Sequence, residues 1–189
     1  MLILQNQKLI IITPPKTGSN TLHIEQIPGS IWVYGYAGHD TTAITQHCTL
    51  IPGAMFDDYP IWMVVRDPYQ RAYSLYKHQV AYNKFKGTFQ EWIISRLPRP
   101  DNFFFQPCSW FADNTYRLHA GACKKVRVIG HLKLETLESD LKKMGIVLDH
   151  PLPHRHKTGE PKGMFTNLEI QLINRWAKED FSRFEYQKG

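Results

Sequence analysis

Lys16 stands in Pro14-Pro15-Lys16-Thr17-Gly18-Ser19-Asn20-Thr21, a short run crowded with groups that suit an oxyanion. Its ammonium carries a full charge, the hydroxyls of Thr17, Ser19 and Thr21 can donate, and Gly18 lets the backbone come close to an anion. The run follows an apolar, β-branched stretch from Lys8 to Ile12 and precedes an amphipathic helix that starts near Asn20 or Thr21. A strand, a small polar turn and a helix N-terminus form an anion site, because the free N–H groups of the first helical turn point at the turn. An ordinary βα turn with a solvated lysine has the same local pattern. The ATP-type loop G-x-x-x-x-G-K-[ST] is absent, since the lysine here precedes the glycine.

A second candidate anion site begins at Arg66, which ends the apolar run Ile61-Trp62-Met63-Val64-Val65. Asp67 and Pro68 then open a helix, with Asp67 as N-cap and Pro68 in the first turn. Ser74 lies about two turns along that helix. An arginine fork and a hydroxyl can together hold a phosphate. In the alternative, Arg66 pairs with a carboxylate and Ser74 is incidental.

These residues need strands to present them, and the chain reads as strands alternating with helices. A second strand is expected over Gly29–Tyr36, a short helix through Ala43, Ile44 and His47 capped by Asp40 or Thr41, and a strand over Ile61–Val65. Further helices are expected over Pro68–Tyr82 and Thr88–Ser95, then a late strand over Val126–Gly130. A charged helix from Glu135 to Met144 ends at Gly145, a loop covers His150–Phe165, and a last helix spans Asn167–Phe184. The pattern predicts one α/β domain over residues 1–189, with a mainly parallel central sheet flanked by helices. In such a sheet ligands bind at the carboxyl ends of the strands. That edge gathers Pro15–Thr21, His39–Thr42 and Arg66–Ser74. The partner of the aromatic segment Phe103-Phe104-Phe105 is not assigned.

Taken as a pair, the two stretches resemble the sulfotransferases that use 3′-phosphoadenosine 5′-phosphosulfate (PAPS). Pro15-Lys16-Thr17-Gly18-Ser19-Asn20-Thr21-Leu22 resembles their 5′-phosphosulfate loop. Arg66-Asp67-Pro68-Tyr69-Gln70-Arg71-Ala72-Tyr73-Ser74-Leu75-Tyr76 resembles their 3′-phosphate motif, R-[DN]-P-x-x-R-x-x-S-x-Y. Downstream, Lys133–Leu141 resembles a segment of the carbohydrate (Golgi-type) branch. Leu152–Thr158 resembles that branch's "LPHxNxS/T" loop, with His156 in place of the asparagine, and Glu179–Tyr186 resembles its "DFxxFgY" ending.

The resemblance implies a P-loop-like sulfotransferase fold, PAPS as sulfuryl donor and a hydroxyl-bearing, carbohydrate-type acceptor. It assigns Pro15, Lys16, Thr17, Gly18, Ser19, Asn20 and Thr21 to the 5′-phosphosulfate, and Arg66 and Ser74 to the 3′-phosphate. It also makes Lys157 a binding candidate, in a late basic loop that would exclude water as a lid. The implied reaction is in-line displacement at sulfur. Charge growing on the bridging oxygen would be met by Lys16, Arg66 and the helix N-terminus without a metal. His39 is the expected base, because it follows the second strand and its unperturbed pKa lies near neutrality; His154 is the alternative. His47, His78, His119, His131 and His150 are expected at the surface or in packing. Arg71 is expected to brace Asp67 or Glu135, or to reach the nucleotide, with a structural role favoured.

Composition narrows the choice of partner. A net charge of +6 favours an anionic ligand without choosing which one. Cys48, Cys108 and Cys123 are odd in number and fit no metal spacing, which suggests reduced thiols and a cytoplasmic location. No apolar run approaches the ~20 residues of a membrane span, and no leader peptide is visible. A kinase-like nucleotide-binding protein is the competing expectation. A nucleic-acid module is disfavoured because the aromatics recur at core spacings.

Overall fold

Alternation of fully buried side chains along two short strands fixes the centre of the molecule. The computed structural model describes residues 1–24, 27–32, 35–37, 40–45, 50–52, 56–97, 102–119, 122–152 and 165–189. Its strands are β1 (Leu2–Leu4), β2 (Leu9–Ile12), β3 (Ser30–Trp32), β4 (Gly35–Ala37), β5 (Asp40–Thr45), β6 (Leu50–Pro52), β7 (Ile61–Val65), β8 (Tyr116–His119), β9 (Ala122–Lys125) and β10 (Gly130–Lys133). The helices are α1 (Ser19–Ile24), α2 (Pro68–Ala81), α3 (Phe89–Arg96), α4 (Cys108–Asp113), α5 (Leu137–Lys143), α6 (Asn167–Trp176) and α7 (Lys178–Arg183).

The main sheet has the order β10-β7-β2-β1-β3. Along β2, Ile10 and Ile12 point into one apolar cluster with Met63, Val65, Phe111 and Phe184, while Leu9 and Ile11 point into another with Val64, Leu132, Leu137 and Leu141. Both faces are therefore covered, and each such side chain contributes on the order of 1.5–3 kcal/mol of transfer free energy. A third cluster joins α2, α3, α6 and α7 through Leu75, Trp92, Ile173 and Phe181.

The fold is α/β, with a mixed sheet flanked by helices. The expectation of a mainly parallel sheet is corrected. β2, β7 and β10 run parallel, but β1 pairs antiparallel with both β2 and β3. The cause is a tight connection at residues 5–8, with Lys8 at a φ of 49°, which lets Leu2–Leu4 fold back as a hairpin. At three residues, β1 is too short for the sequence to show a strand period.

Several boundaries also move. The stretch expected as one strand over 29–36 contributes β3 and the start of β4, and the residues expected as a short helix through Ala43 and Ile44 form β5, antiparallel to β4 in a separate two-stranded sheet. The run Asp40-Thr41-Thr42-Ala43-Ile44-Thr45 holds β-branched residues that favour an extended chain, and this preference outweighs the capping signal. β10 begins at Gly130, where the late strand was expected to end. The last helix breaks between Trp176 and Lys178. A further small sheet, β6-β8-β9, was not foreseen. Arg117 anchors it by donating to the backbone carbonyls of Asp57 and Tyr59.

Candidate functional site

β2 and β7 are parallel neighbours, so the loops leaving their carboxyl ends emerge side by side. The β2 loop is a turn closed by a hydrogen bond from the Thr17 N–H to the Pro14 carbonyl at 3.2 Å. Pro15 takes the position where its fixed φ is favourable, and Lys16 follows with a φ of 67°, the pattern of a type II turn that normally wants glycine there. A lysine in this conformation is costly by roughly 1–2 kcal/mol. Positive φ recurs at Gly18 (89°), where a Cβ would also collide with Leu134 Cδ1. α1 starts immediately after, and the Leu22 N–H donates to the Gly18 carbonyl at 3.1 Å.

Thr17 is fully buried and its hydroxyl donates to the Pro14 carbonyl at 2.7 Å, so this residue holds the turn with both of its donors. Ser19 is buried and Thr21 half-buried at the start of α1. Asn20 is helical, and its side chain lies outside the description.

Arg66 directly follows β7 and is 8% exposed. Its Nη1 donates to the Lys16 carbonyl at 3.3 Å, which joins the two candidate anion sites directly. Burial lowers the pKa of Lys16, and the nearby Arg66 charge lowers it further. Burial likewise lowers that of Arg66, against the favourable charges of Glu135 and Asp67. Asp67 caps α2 as expected, accepting from the Gln70 N–H at 2.9 Å, and burial raises its pKa. Ser74 is buried on α2.

Arg71 has the structural role expected of it, with other partners than Asp67 and Glu135: its Nε donates to the Pro15 carbonyl at 3.0 Å, and its guanidinium packs on the rings of Phe111 and Trp176. Glu135 instead accepts from the Asp67 N–H and from the Tyr186 hydroxyl, both at 2.9 Å. Tyr186 is thereby held as a neutral phenol, its pKa raised by burial and by the Glu135 charge. Leu134–Thr136 form a 3-10 turn at the carboxyl end of β10, a third segment at the same sheet edge, and this turn runs into α5. Glu135 is thus helical as expected, in the 3-10 turn that precedes α5.

His39 and Lys157 lie outside the described residues, as do His154 and His156. The strand before His39 belongs to the separate β4–β5 sheet, so the topological ground for setting it beside Lys16 is removed. His78, set aside with the packing residues, does pack against Tyr82 and Phe104. Its pKa is lowered by burial and then by the charge of Lys16, so it shares the electrostatic field of the loop. His131 packs on Phe184.

A separate cavity of about 350 Å³ opens beside β10, lined by Trp62, Leu132, Lys133, Thr136, Asp140 and Met144, and includes neither Lys16 nor Arg66. Among the described residues no cluster of three His, Cys, Asp or Glu side chains is set to hold a metal, and no helix is long and apolar enough to cross a membrane. Comparison with protein-family models, curated proteins and solved structures finds no match.

Proposed function

We propose that this chain is a PAPS-dependent sulfotransferase of P-loop-like fold that transfers a sulfuryl group to an acceptor hydroxyl, of carbohydrate type. The observation that carries the reading is the contact between Arg66 and the Lys16 carbonyl. It sets Arg66 against the loop of Lys16 on adjacent parallel strands, which supports reading the two segments as one site. A donor with phosphates at both ends of one nucleoside suits that arrangement.

In the reaction, the acceptor oxygen attacks sulfur and gives up its proton to a base, for which His39 is the candidate. The bond from sulfur to the 5′-phosphate oxygen breaks, and adenosine 3′,5′-bisphosphate leaves. Lys16 meets the charge that grows on that oxygen, where a positioned cation favours the transition state over the ground state. Arg66 and Ser74 hold the 3′-phosphate, and Pro15, Gly18, Ser19, Asn20 and Thr21 shape the loop around the 5′ end. Thr17 contributes by holding the turn. Lys157 is a further donor-binding candidate from the sequence alone.

Thermal shift tests the reading. Adenosine 3′,5′-bisphosphate should raise the melting temperature more than ATP with magnesium does. The opposite order would favour a kinase-like protein and sink the proposal.

A further inference from the structure

Three consecutive carbonyls of the β2 loop are turned into the protein. The Pro14 carbonyl accepts from the Thr17 N–H and hydroxyl, the Lys16 carbonyl from Arg66 Nη1, and the Pro15 carbonyl from Arg71 Nε. Carbonyl oxygens repel an anion, so drawing them inward leaves the opposite side of the loop to Lys16 and to N–H groups.

Arg71 is the unusual member of this set. It is 0% exposed and therefore out of reach of any ligand at the surface of the loop. No carboxylate pairs with it among the described residues, and its Nη1 and Nη2 have no hydrogen-bond partner there. Its flat guanidinium packs 5.9 Å from the Phe111 ring centre and 5.4 Å from that of Trp176. As packing alone this is an expensive choice, because a buried unpaired charge costs more than an apolar side chain of similar length. What an apolar residue cannot supply is the bond to Pro15.

We propose that Arg71 is a positioning residue: by holding the Pro15 carbonyl it fixes Lys16 in its left-handed conformation and sets the 5′-phosphosulfate subsite. The inference rests on the proposed donor. It differs from a purely structural role because it separates function from stability.

The test is calorimetric binding of adenosine 3′,5′-bisphosphate and of adenosine 3′-monophosphate, which lacks the 5′ group. Wild type, Arg71→Met and Arg71→Lys are compared, each with its melting temperature. Arg71→Met is expected to melt at or above the wild-type temperature, to bind the bisphosphate about tenfold more weakly, and to bind the 3′-monophosphate unchanged. Arg71→Lys keeps a long basic side chain without the planar Nε donor, and should show the same selective loss. Equal losses for both ligands, no loss for either, or failure of both variants to fold would each overturn the proposal. If wild type itself does not prefer the bisphosphate to the 3′-monophosphate, the donor assignment has failed instead.

Discussion

Lys16 is placed against its own backbone preference. Its φ of 67° is strained for any side chain, and its ammonium is partly desolvated beside Arg66. Lys16→Gly should therefore be more stable than Lys16→Ala by roughly 1 kcal/mol in urea unfolding, with sulfuryl transfer lost in both. A pKa below the ordinary lysine value means that the charge disappears as pH rises, before 10.5 is reached. Affinity for adenosine 3′,5′-bisphosphate should fall along that alkaline limb, and the limb should be missing from Lys16→Ala. In the proposed site Arg66 would act in two places, donating to the Lys16 carbonyl and holding the 3′-phosphate. Arg66→Ala should lower turnover and donor affinity together, a split that steady-state kinetics at saturating donor would resolve. At this scale much was legible, since Pro15, Lys16, Gly18 and Arg66 announce themselves by type and spacing. The role of Arg71 was not, because nothing local in the sequence says which carbonyl a buried arginine will reach.

Elements carry a different kind of information. The short strand β1, the strand β5 and the small β6-β8-β9 sheet are set by pairing with distant segments, and the sequence pattern of a three-residue strand is too short to show its period. The helices fared better where caps are strong. Thr88 and Glu91 make a capping box at α3, and Thr166 and Glu169 make another at α6. Asp180 on α7 was visible only as part of a motif. It is 1% exposed and accepts the N–H groups of Cys108 at 2.8 Å and Ser109 at 2.7 Å, tying α7 to the start of α4. Asp180→Ala leaves two buried donors without partners and should cost about 2–5 kcal/mol of stability by urea unfolding. The same docking joins the aromatic segment to the core, where Phe103 meets Trp110 and Phe111 and Phe105 meets Trp92.

For the whole molecule, the density of the interior sets the response to pH. Cys108 is fully buried, and desolvation pushes its thiol up from 9.0 to about 12. Between those values the unfolded chain ionises the thiol while the folded one does not, so the folded state binds more protons and stability falls with rising pH. Each pH unit in that window costs about 1.4 kcal/mol. Cys108→Ala should flatten the alkaline end of the stability curve measured by urea unfolding from pH 9 to 12, and an unchanged slope would count against the burial argument. The fold class was legible at this scale because two apolar strands, each followed by a helix, leave few arrangements. The mixed character of the sheet was not.

The strand order also has a consequence for how the protein comes into being. β1 and β2 are sequence neighbours and their hairpin can close within microseconds, whereas Lys16 meets Arg66 across 50 residues and Asp67 meets Glu135 across 68. The edge of the sheet that carries Lys16 and Arg66 thus closes over much longer chain loops than the hairpin does. Folding kinetics should show it: Ile3→Val in the hairpin slows refolding, while Leu132→Ala in β10 mainly speeds unfolding. A nascent chain would then hold its hydrophobic hairpin well before the loops that carry Lys16 and Arg66 could meet.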